Sequence, residues 1–495
     1  MGVIFRQSIQ NSIINYAGIA IGFVVTIWMY PNILSPEEYG LTRVLISLAM
    51  VSSQLASLGM KNTVIRFFPF FRDKENNHNG FLFLSMAVPF LGVILLAGIL
   101  AIFRPGITQY FIERSELLVG YYWFILPLAF SMLYFHVTTS FVQALYDTVM
   151  SSFLMNVAVR LLTMLLLVIH FMGWISFEQF MVGFVMNYAI ILLALIIYMY
   201  SIADLSLTPH IDFLDRSLLK RMVKYSLFAF FGGIASIIVS NIDIIMLSSL
   251  AGLDDTGIYS IAFYIGSAIT IMRQSIYKIS SPIIADAYEE QNFDLIEQIY
   301  HRSSMNQLIA AGLLFAGVIA NLENLMAVLP PEYSGGALVI IIIGTANIFD
   351  MATGVNGAII LNSDHYRFDL YSSLILIAIT IILNYILIPI YGIVGAAIGT
   401  ASAVLLYNML KVLFVWIYFS MQPFEWRMLY ILGGGAITLL IVFQIPVMGG
   451  VYLDILIRSI IVTLLYGVPL WMLDISDELN QLVDTTLNEI NKRIF

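Results

Sequence analysis

Three arginines lie inside or near the ends of long apolar stretches of the sequence, where charged side chains are rare. Arg160 falls within the apolar stretch 149–170, and Arg66 and Arg273 fall near the ends of two others. A guanidinium group is expensive to bury in hydrocarbon without a partner, and it binds phosphate oxygens through paired hydrogen bonds. These residues therefore predict either buried ion pairs or a site for an anionic, phosphate-bearing substrate.

Two interpretations of Arg160 stay open at this point. A structural role would pair it with Asp147, Asp243 or a helix carbonyl, and a functional role would let it hold an anionic substrate. Lys61 adds positive charge near Arg66, although basic residues near helix ends also follow from the preference for positive charge on the cytoplasmic side. We take Lys61, Arg66, Arg160 and Arg273 as candidate substrate-binding residues.

Polar side chains recur every three or four residues along the first and seventh apolar stretches. Asn11 and Asn15 share one helix face in the first, and Ser236, Ser240 and Asp243 share a face in the seventh. Small residues at this spacing are typical of close helix packing, whereas asparagine and aspartate favour a polar cavity. The stripes therefore leave two interpretations open, close helix packing through the small residues or a polar cavity lined by the asparagines and the aspartate.

Two carboxylates are candidates for coupling transport to an ion gradient. Asp243 lies in the seventh apolar stretch and Asp350 in the tenth. A carboxylate inside a membrane marks an ion pathway or a buried ion pair. For Asp350, the alternative is an ion pair with Lys411.

Most residue sets that enzymes need are missing from the sequence. There is no cysteine, the six histidines are scattered, and neither a nucleotide-binding glycine loop nor a large outer loop is present. We therefore predict no catalytic residue, no metal site, no cofactor and no nucleic-acid partner. Transport by this chain would be driven by a proton or sodium gradient or by substrate flux.

Membrane-spanning helices are the elements that must position these side chains. Hydrophobic residues make up 60% of the chain and charged residues 11%, against about 25% charged in soluble domains. Apolar stretches of about 20 residues span a bilayer as helices, because a helix satisfies its own backbone hydrogen bonds. We predict an all-α protein with fourteen spans, at 8–34, 40–64, 81–103, 117–145, 149–170, 175–200, 222–250, 257–280, 303–328, 335–360, 367–389, 393–420, 427–443 and 452–473.

The basic residues predict the orientation of these spans. With both termini in the cytoplasm, most of the 22 lysines and arginines fall on the cytoplasmic side. The segments then placed outside hold only Arg43, Arg104, Arg114 and Arg458.

A weak internal repeat predicts two six-helix lobes of like orientation, related by an axis along the membrane normal. The loop LSPEEYG at 34–40 has a counterpart in LDDTGIY at 253–259. Five segments are predicted: the first lobe 1–201, a cytoplasmic linker 202–221, the second lobe 222–420, two further helices in 421–473, and an amphipathic cytoplasmic tail 474–495.

Three stretches resemble the bacterial polysaccharide-export flippases, the Wzx-like branch of the MOP superfamily that also contains lipid II flippases and MATE multidrug exporters. The first is LSPEEYG followed by LASLGMKNTVIRFF at 55–68, and the second is SPIIADAYEEQNFDLIEQIY at 281–300. The third, LNYILIPIYGIVGAAIGT at 383–400, is the most specific, with Asn384, Pro389, Gly392 and Gly395 at the turn between two spans.

The resemblance implies a MATE-like two-lobed bundle whose central cavity opens alternately to the two membrane faces. Such a protein moves an undecaprenyl-pyrophosphate-linked oligosaccharide from the inner to the outer leaflet of the bacterial plasma (inner) membrane, for assembly of O-antigen, capsule or exopolysaccharide. Its expected partners are that lipid, the bilayer, and a polysaccharide polymerase or glycosyltransferases. Arg66 alone falls on a family motif, whereas Arg160 and Arg273 rest on depth and charge.

Two other functions stay open. A cation-coupled small-molecule exporter of the MATE type would use Asp243 or Asp350 as its ion site. A membrane-embedded glycan transferase would ordinarily have a sizeable outer loop, and none is present. Lipid II flippases carry more arginines in span one than the single Arg6 found here, which disfavours a peptidoglycan precursor as the cargo.

Overall fold

The computed structural model describes residues 2–73, 76–112, 114–203, 207–208, 215–481 and 483–485, and within them it contains helices but no strand. The chain forms two compact units, 1–257 and 258–495. The predicted lobes 1–201 and 222–420 stay a prediction, and the helix of predicted span seven packs against the second span. The predicted linker 202–221 lies partly outside the described residues, and that helix begins at Arg216.

Within the described residues of the first unit there are eleven α-helices, and π-helical turns at Val24–Met29 and Leu154–Ala158 join α1 to α2 and α8 to α9. The helices are α1 (Gly2–Phe23), α2 (Tyr30–Ile33), α3 (Pro36–Ala56), α4 (Met60–Phe71), α5 (Phe81–Phe111), α6 (Glu116–Gly120), α7 (Ile125–Ala144), α8 (Val149–Phe153), α9 (Val159–Phe171), α10 (Phe177–Ile202) and α11 (Arg216–Leu250).

Helix α12 (Leu253–Ser267) begins in the first unit and continues into the second. The second unit then contains α13 (Arg273–Glu289), α14 (Phe293–Ala320), α15 (Leu322–Val328), α16 (Ala337–Ala352), α17 (Asn356–Leu361), α18 (Arg367–Phe419), α19 (Met428–Val442) and α20 (Val451–Met472).

Among the described residues, nine helices are long and apolar enough to cross a bilayer. Two pairs of segments bent by 42°, α3 with α4 and the two parts of α11, raise the number to eleven. The chain is therefore a multi-pass membrane protein, as its composition predicts. The count of fourteen spans stays a prediction, because α18 holds two predicted spans, α19 is short, and the eighth predicted span is divided between α12 and α13.

Helix α18 turns back on itself at Gly392. Its 53 residues would extend about 80 Å as one straight helix, against a hydrocarbon core of about 30 Å. Gly392 has φ 56° and ψ −131°, a conformation that side chains disfavour. A Cβ atom at Gly395 would lie 2.1 Å from the carbonyl oxygen of Leu387, so the two halves pack backbone to backbone. The turn predicted at 383–400 is thus present.

A second close approach joins the two loops of the internal repeat. A Cβ atom at Gly40 would lie 2.0 Å from the carbonyl oxygen of Leu253, and one at Gly257 would lie 2.1 Å from that of Pro36. Each glycine meets the residue four positions before the other, so the contact is reciprocal. The two glycines at matching positions of the sequence repeat thus make matching backbone contacts. Only glycine permits such a close crossing.

Local signals explain where α3 begins. Ser35 and Glu38 form a capping box, with the Glu38 amide donating to Ser35 Oγ at 3.2 Å and the Ser35 amide donating to Glu38 Oε2 at 2.9 Å. Pro36 occupies the first helical turn, where its missing N–H costs nothing. The span therefore starts at Pro36, before the predicted position 40.

Half of the predicted tail 474–495 lies outside the described residues. In its first part, Ile475 is buried in the hydrophobic core of the second unit, and Ser476 Oγ donates to Asn306 Oδ1 at 2.7 Å. The start of the tail thus packs on α14.

Substituting Gly395 tests the turn in α18. We expect Gly395→Ala to lower the free energy of unfolding by about 2 kcal/mol, because the new methyl group meets a backbone carbonyl. Gly433→Ala is the matched control, since Gly433 lies in α19 with open space around its Cβ position, and it should be neutral or stabilising. Thermal unfolding in detergent measures both, and equal melting temperatures would contradict the close approach.

Candidate functional site

The polar stripe of α1 faces α8 and the π-helical turn between α8 and α9. Asn11 Nδ2 donates to Thr148 Oγ1 at 2.7 Å, and Asn156 Nδ2 donates to Asn15 Oδ1 at 2.9 Å. A Cβ atom at Gly18 would lie 2.7 Å from the Asn156 carbonyl oxygen. The stripe thus joins two helices, and Asn11 Oδ1 is left buried without a partner among the described residues.

Arg160 lies in the middle of the span Val149–Phe171. Its guanidinium donates to the carbonyl oxygen of Gly18 in α1, and a helix carbonyl is one of the three structural partners that the sequence left open. Asp147, the other nearby candidate, instead accepts a hydrogen bond of 2.6 Å from the Tyr198 hydroxyl. No ion pair among the described residues includes Arg160. A carbonyl does not neutralise a charge, so Arg160 keeps its full positive charge inside the span.

A second intramembrane arginine, Arg43, was assigned to an outer segment by the sequence. Because α3 begins at Pro36, Arg43 lies about two turns into the helix. Its Nε is buried without a hydrogen-bond partner among the described residues. Tyr188 of α10 lies within electrostatic range of both Arg43 and Arg160. The capping box at residues 35–38 marks the start of α3, so the sequence could have placed Arg43 inside the span.

Arg273 and Asp350, to which the sequence gave separate roles, form one ion pair in the second unit. Arg273 Nη1 lies 2.6 Å from Asp350 Oδ2, and Asn408 Nδ2 donates to the other carboxylate oxygen at 2.9 Å. Thr353 Oγ1 donates to Asn408 Oδ1 at 3.2 Å and so fixes the amide. Asp350 is 5% exposed and the Arg273 side chain 51%, so the arginine is the accessible partner.

Lys411 pairs with Asp369, and the expected pair of Lys411 with Asp350 is wrong. Lys411 Nζ lies 2.6 Å from Asp369 Oδ1, and both residues belong to α18. The turn at Gly392 brings the first half of α18 alongside the second, which places Asp369 beside Lys411. The turn therefore determines that Asp369 is the partner of Lys411. The sequence near either residue does not indicate this pairing.

Arg66, the family-motif position, lines a cavity of about 450 Å³ between α4 and the first part of α11. Its guanidinium stacks on the Tyr225 ring, 4.4 Å from the centroid. The cavity wall contains three basic and four aromatic residues and no acidic one. We call this the basic–aromatic cavity, and its lining is Arg66, Phe67, Phe70, Arg221, Lys224, Tyr225 and Phe228.

The other predicted site residues lie elsewhere in the first unit. Lys61 is exposed in the first turn of α4, within electrostatic range of His136. Ser240 and Asp243 lie in α11, and Asp243 is 8% exposed. The side chain of Ser236 lies outside the described part of the structure. The structure thus joins Asn15 to the Arg160 region through Asn156, and it puts Arg66 in a separate cavity.

Breaking the Arg273–Asp350 pair should destabilise the protein. We expect Arg273→Ala to cost about 2–3 kcal/mol, because it strands a buried carboxylate, with half-exposure of the arginine reducing the effect. Arg302→Ala removes an exposed cation whose ion-pair contacts are 3.9 Å long and should cost under about 1 kcal/mol. Thermal unfolding compares them. The double variant Arg273→Met/Asp350→Leu should regain stability, and a melting temperature as low as that of Arg273→Ala would contradict the pairing.

Solved structures of membrane transporters share this fold. The lipid II flippase MurJ in an inward closed conformation is 13% identical, with 98% of this chain and 99% of that chain covered and a TM-score of 0.72. An inward-facing multidrug resistance MATE family transporter of the MOP superfamily is 15% identical, covering 82% and 98%, with a TM-score of 0.59. A MOP superfamily transporter from Pyrococcus furiosus is 17% identical, covering 84% and 95%, with a TM-score of 0.53.

These likenesses confirm the predicted MATE-like all-α fold. All three of these solved structures are of flippases or transporters, and none is of a glycan transferase. No curated protein sequence matches the chain significantly. The family model of the polysaccharide biosynthesis protein matches residues 4–287. This match covers more than half of the 495 residues, and the chain belongs to the polysaccharide biosynthesis protein family.

Proposed function

We propose that this protein moves an undecaprenyl-pyrophosphate-linked oligosaccharide from the inner to the outer leaflet of the bacterial inner membrane, for assembly of O-antigen, capsule or exopolysaccharide. Membership of the polysaccharide biosynthesis family and the transporter fold support this proposal. The distribution of basic residues supports cytoplasmic termini. Its partners would be the lipid-linked oligosaccharide, the bilayer and the polymerase or glycosyltransferases that use the product.

The observation that carries the proposal is the unneutralised charge of Arg160 at the middle of a span. An uncompensated guanidinium in the bilayer requires water or an anion. Arg43 adds a second positive charge near Tyr188, and a pyrophosphate group carries the complementary negative charge. Two guanidinium groups can donate several charge-assisted hydrogen bonds to its oxygens. Arg273 and Lys61 are proposed as further positive groups along the path.

Spare hydrogen-bonding atoms near these arginines suit a sugar. Asn187 Nδ2, beside Tyr188, and Asn11 Oδ1 are buried and have no partner among the described residues. A sugar hydroxyl can both donate and accept, so it can bind a free amide nitrogen as well as a free carbonyl oxygen. Asn15, Ser236 and Ser240 are proposed to contribute to the same polar surface.

Replacing Arg160 tests the proposal. In a strain that lacks the native gene and any redundant flippase, we expect Arg160→Ala to lower surface polysaccharide at least tenfold while the protein stays abundant in the membrane. Flipping of a labelled lipid-linked oligosaccharide by reconstituted protein should fall in parallel. Arg160→Lys should restore part of the activity if charge matters more than paired hydrogen bonding.

Arg104→Ala provides the matched control, because Arg104 is an exposed cation of the same unit that stacks over the Trp123 ring at 5.7 Å. It should export normally. Full export by Arg160→Ala would return Arg160 to a packing role, and normal surface polysaccharide in the deletion strain would refute the proposed cargo.

A second candidate function is cation-coupled export of small molecules. The MATE-like fold and the burial of Asp243 favour it, and a proton or sodium ion could equally couple the proposed flipping. Of the two candidate ion sites, Asp350 lies in an ion pair with Arg273 and accepts from Asn408, and Asp243 is a buried carboxylate of α11.

Asp243→Asn separates these functions. If Asp243 couples an ion to small-molecule export, this substitution should abolish drug efflux by inverted vesicles and raise drug susceptibility. If the protein exports oligosaccharide, drug susceptibility should match that of the parent. Asp364→Asn, at an exposed residue between α17 and α18, is the control and should change neither.

A further inference from the structure

One face of α11 and one face of α4 form the basic–aromatic cavity. Arg221, Lys224, Tyr225 and Phe228 lie at positions i, i+3, i+4 and i+7, which share a single helix face. Arg66, Phe67 and Phe70 lie within one turn of α4. Basic and aromatic side chains thus lie next to each other in the wall of this cavity.

The two helices meet at a defined point next to this cavity. Thr63 Oγ1 and Ser226 Oγ lie 2.6 Å apart, and a Cβ atom at Gly59 would lie 2.1 Å from the Ser226 carbonyl oxygen. Side chains farther along both helices line the cavity, where some of them also contact each other. The cavity is therefore bounded on one side by a close backbone contact that holds its walls in place.

Aromatic rings position the cations of the cavity without neutralising them. Arg66 stacks on Tyr225, Arg221 lies over the Phe70 ring at 5.6 Å, and the rings of Phe67 and Tyr225 meet edge to face at 5.8 Å. Cation–π contacts orient guanidinium groups and leave their N–H donors available. Among the described residues, no ion pair includes a basic residue of this cavity.

One carboxylate acts on the cavity from outside it. Asp215 caps α11 by accepting from the Ser217 amide at 2.9 Å, and it interacts electrostatically with Arg221. Hydrogen bonds from Ser217 lower the pKa of Asp215, so this group is ionised at neutral pH. Three basic side chains in the lining against this one acid leave the cavity positive, and it therefore favours an anion.

The apolar members of the cavity indicate which anion. Phe70 is 55% exposed and Phe228 64%, next to basic residues at the end of one span and the beginning of another. Exposed rings beside lysine and arginine at helix ends are typical of the bilayer interface, where headgroups meet acyl chains. A free phosphate ion would gain nothing from these rings, whereas a lipid would cover them with its chains.

We infer that the basic–aromatic cavity binds the phosphate group of a membrane lipid in the leaflet next to the start of α11. The two guanidinium groups of Arg66 and Arg221 bind phosphate oxygens, and Lys224 adds charge. The volume of about 450 Å³ lies within the range of small-ligand pockets. This inference does not depend on the proposed cargo, because an anionic phospholipid and a polyprenyl pyrophosphate present the same phosphate chemistry.

Lipid titration of the purified full-length protein tests the inference. In phosphatidylcholine nanodiscs, we add either phosphatidylglycerol or undecaprenyl pyrophosphate and measure bound lipid by native mass spectrometry. We expect Arg221→Ala to weaken phosphate-lipid binding at least tenfold. The neighbouring Lys220→Ala removes the same charge from an exposed position outside the lining and should bind as the parent protein does.

Two further variants test whether weaker lipid binding results from a folding defect. Tyr225→Leu keeps every charge but removes the ring under Arg66, and Arg66→Lys keeps the charge but removes paired hydrogen bonding. Each should weaken binding severalfold at an unchanged melting temperature. If Lys220→Ala and Arg221→Ala weaken binding equally, or if the parent binds neither lipid, the inference is wrong.

The two lipids identify the source of the phosphate. Binding of phosphatidylglycerol marks a resident phospholipid, whereas binding of undecaprenyl pyrophosphate alone marks the transported lipid. Because binding is measured without transport, failure here leaves the flippase proposal standing, and failure of the export assay leaves the lipid site standing.

Discussion

The free-energy cost of an uncompensated charge in hydrocarbon determines how this protein uses its basic residues. Arg273, Lys411 and Arg458 each lie 2.6 Å from a carboxylate, and these pairs tie neighbouring helices or turns together. Arg43 and Arg160 have no such partner among the described residues. Carboxylates neutralise the first group, and the second group is where a membrane protein can hold an anion. For the role of each cation, the number and position of the cations matter less than how that cation is neutralised.

Backbone contacts at glycine provide the second organising feature. In a bilayer there is little hydrophobic driving force between helices, so close approach of backbones supplies much of their attraction. Gly395 brings the two halves of α18 together, and Gly18 brings α1 to the turn before α9. These contacts hold the polar side chains in register, because Asn15 reaches Asn156, and Lys411 reaches Asp369, only after the helices have met.

Apolar length and turn residues were sufficient to predict a multi-pass helical membrane protein and the turn at Gly392, since both signals are local, whereas the count of fourteen spans stays a prediction. Ion-pair partners were not predictable in the same way. The expected partner of Lys411 was wrong because the correct one, Asp369, is brought near by a tertiary turn. Arg66 was found through a motif, but Arg221 and Lys224 were missed, because α11 is distant from α4 in the sequence. Arg43 was missed because the start of its helix was placed too late.

The reciprocal crossing of Gly40 and Gly257 has an electrical consequence. It brings together the first turns of α3 and α12, where Glu37 interacts with Asp254, Glu38 and Glu116. Arg114 donates to the Leu250 carbonyl just before α12 begins, so a cation also lies close to these carboxylates. Like charges repel one another, and the close glycine contact therefore holds the acidic first turns of two helices together against their mutual repulsion.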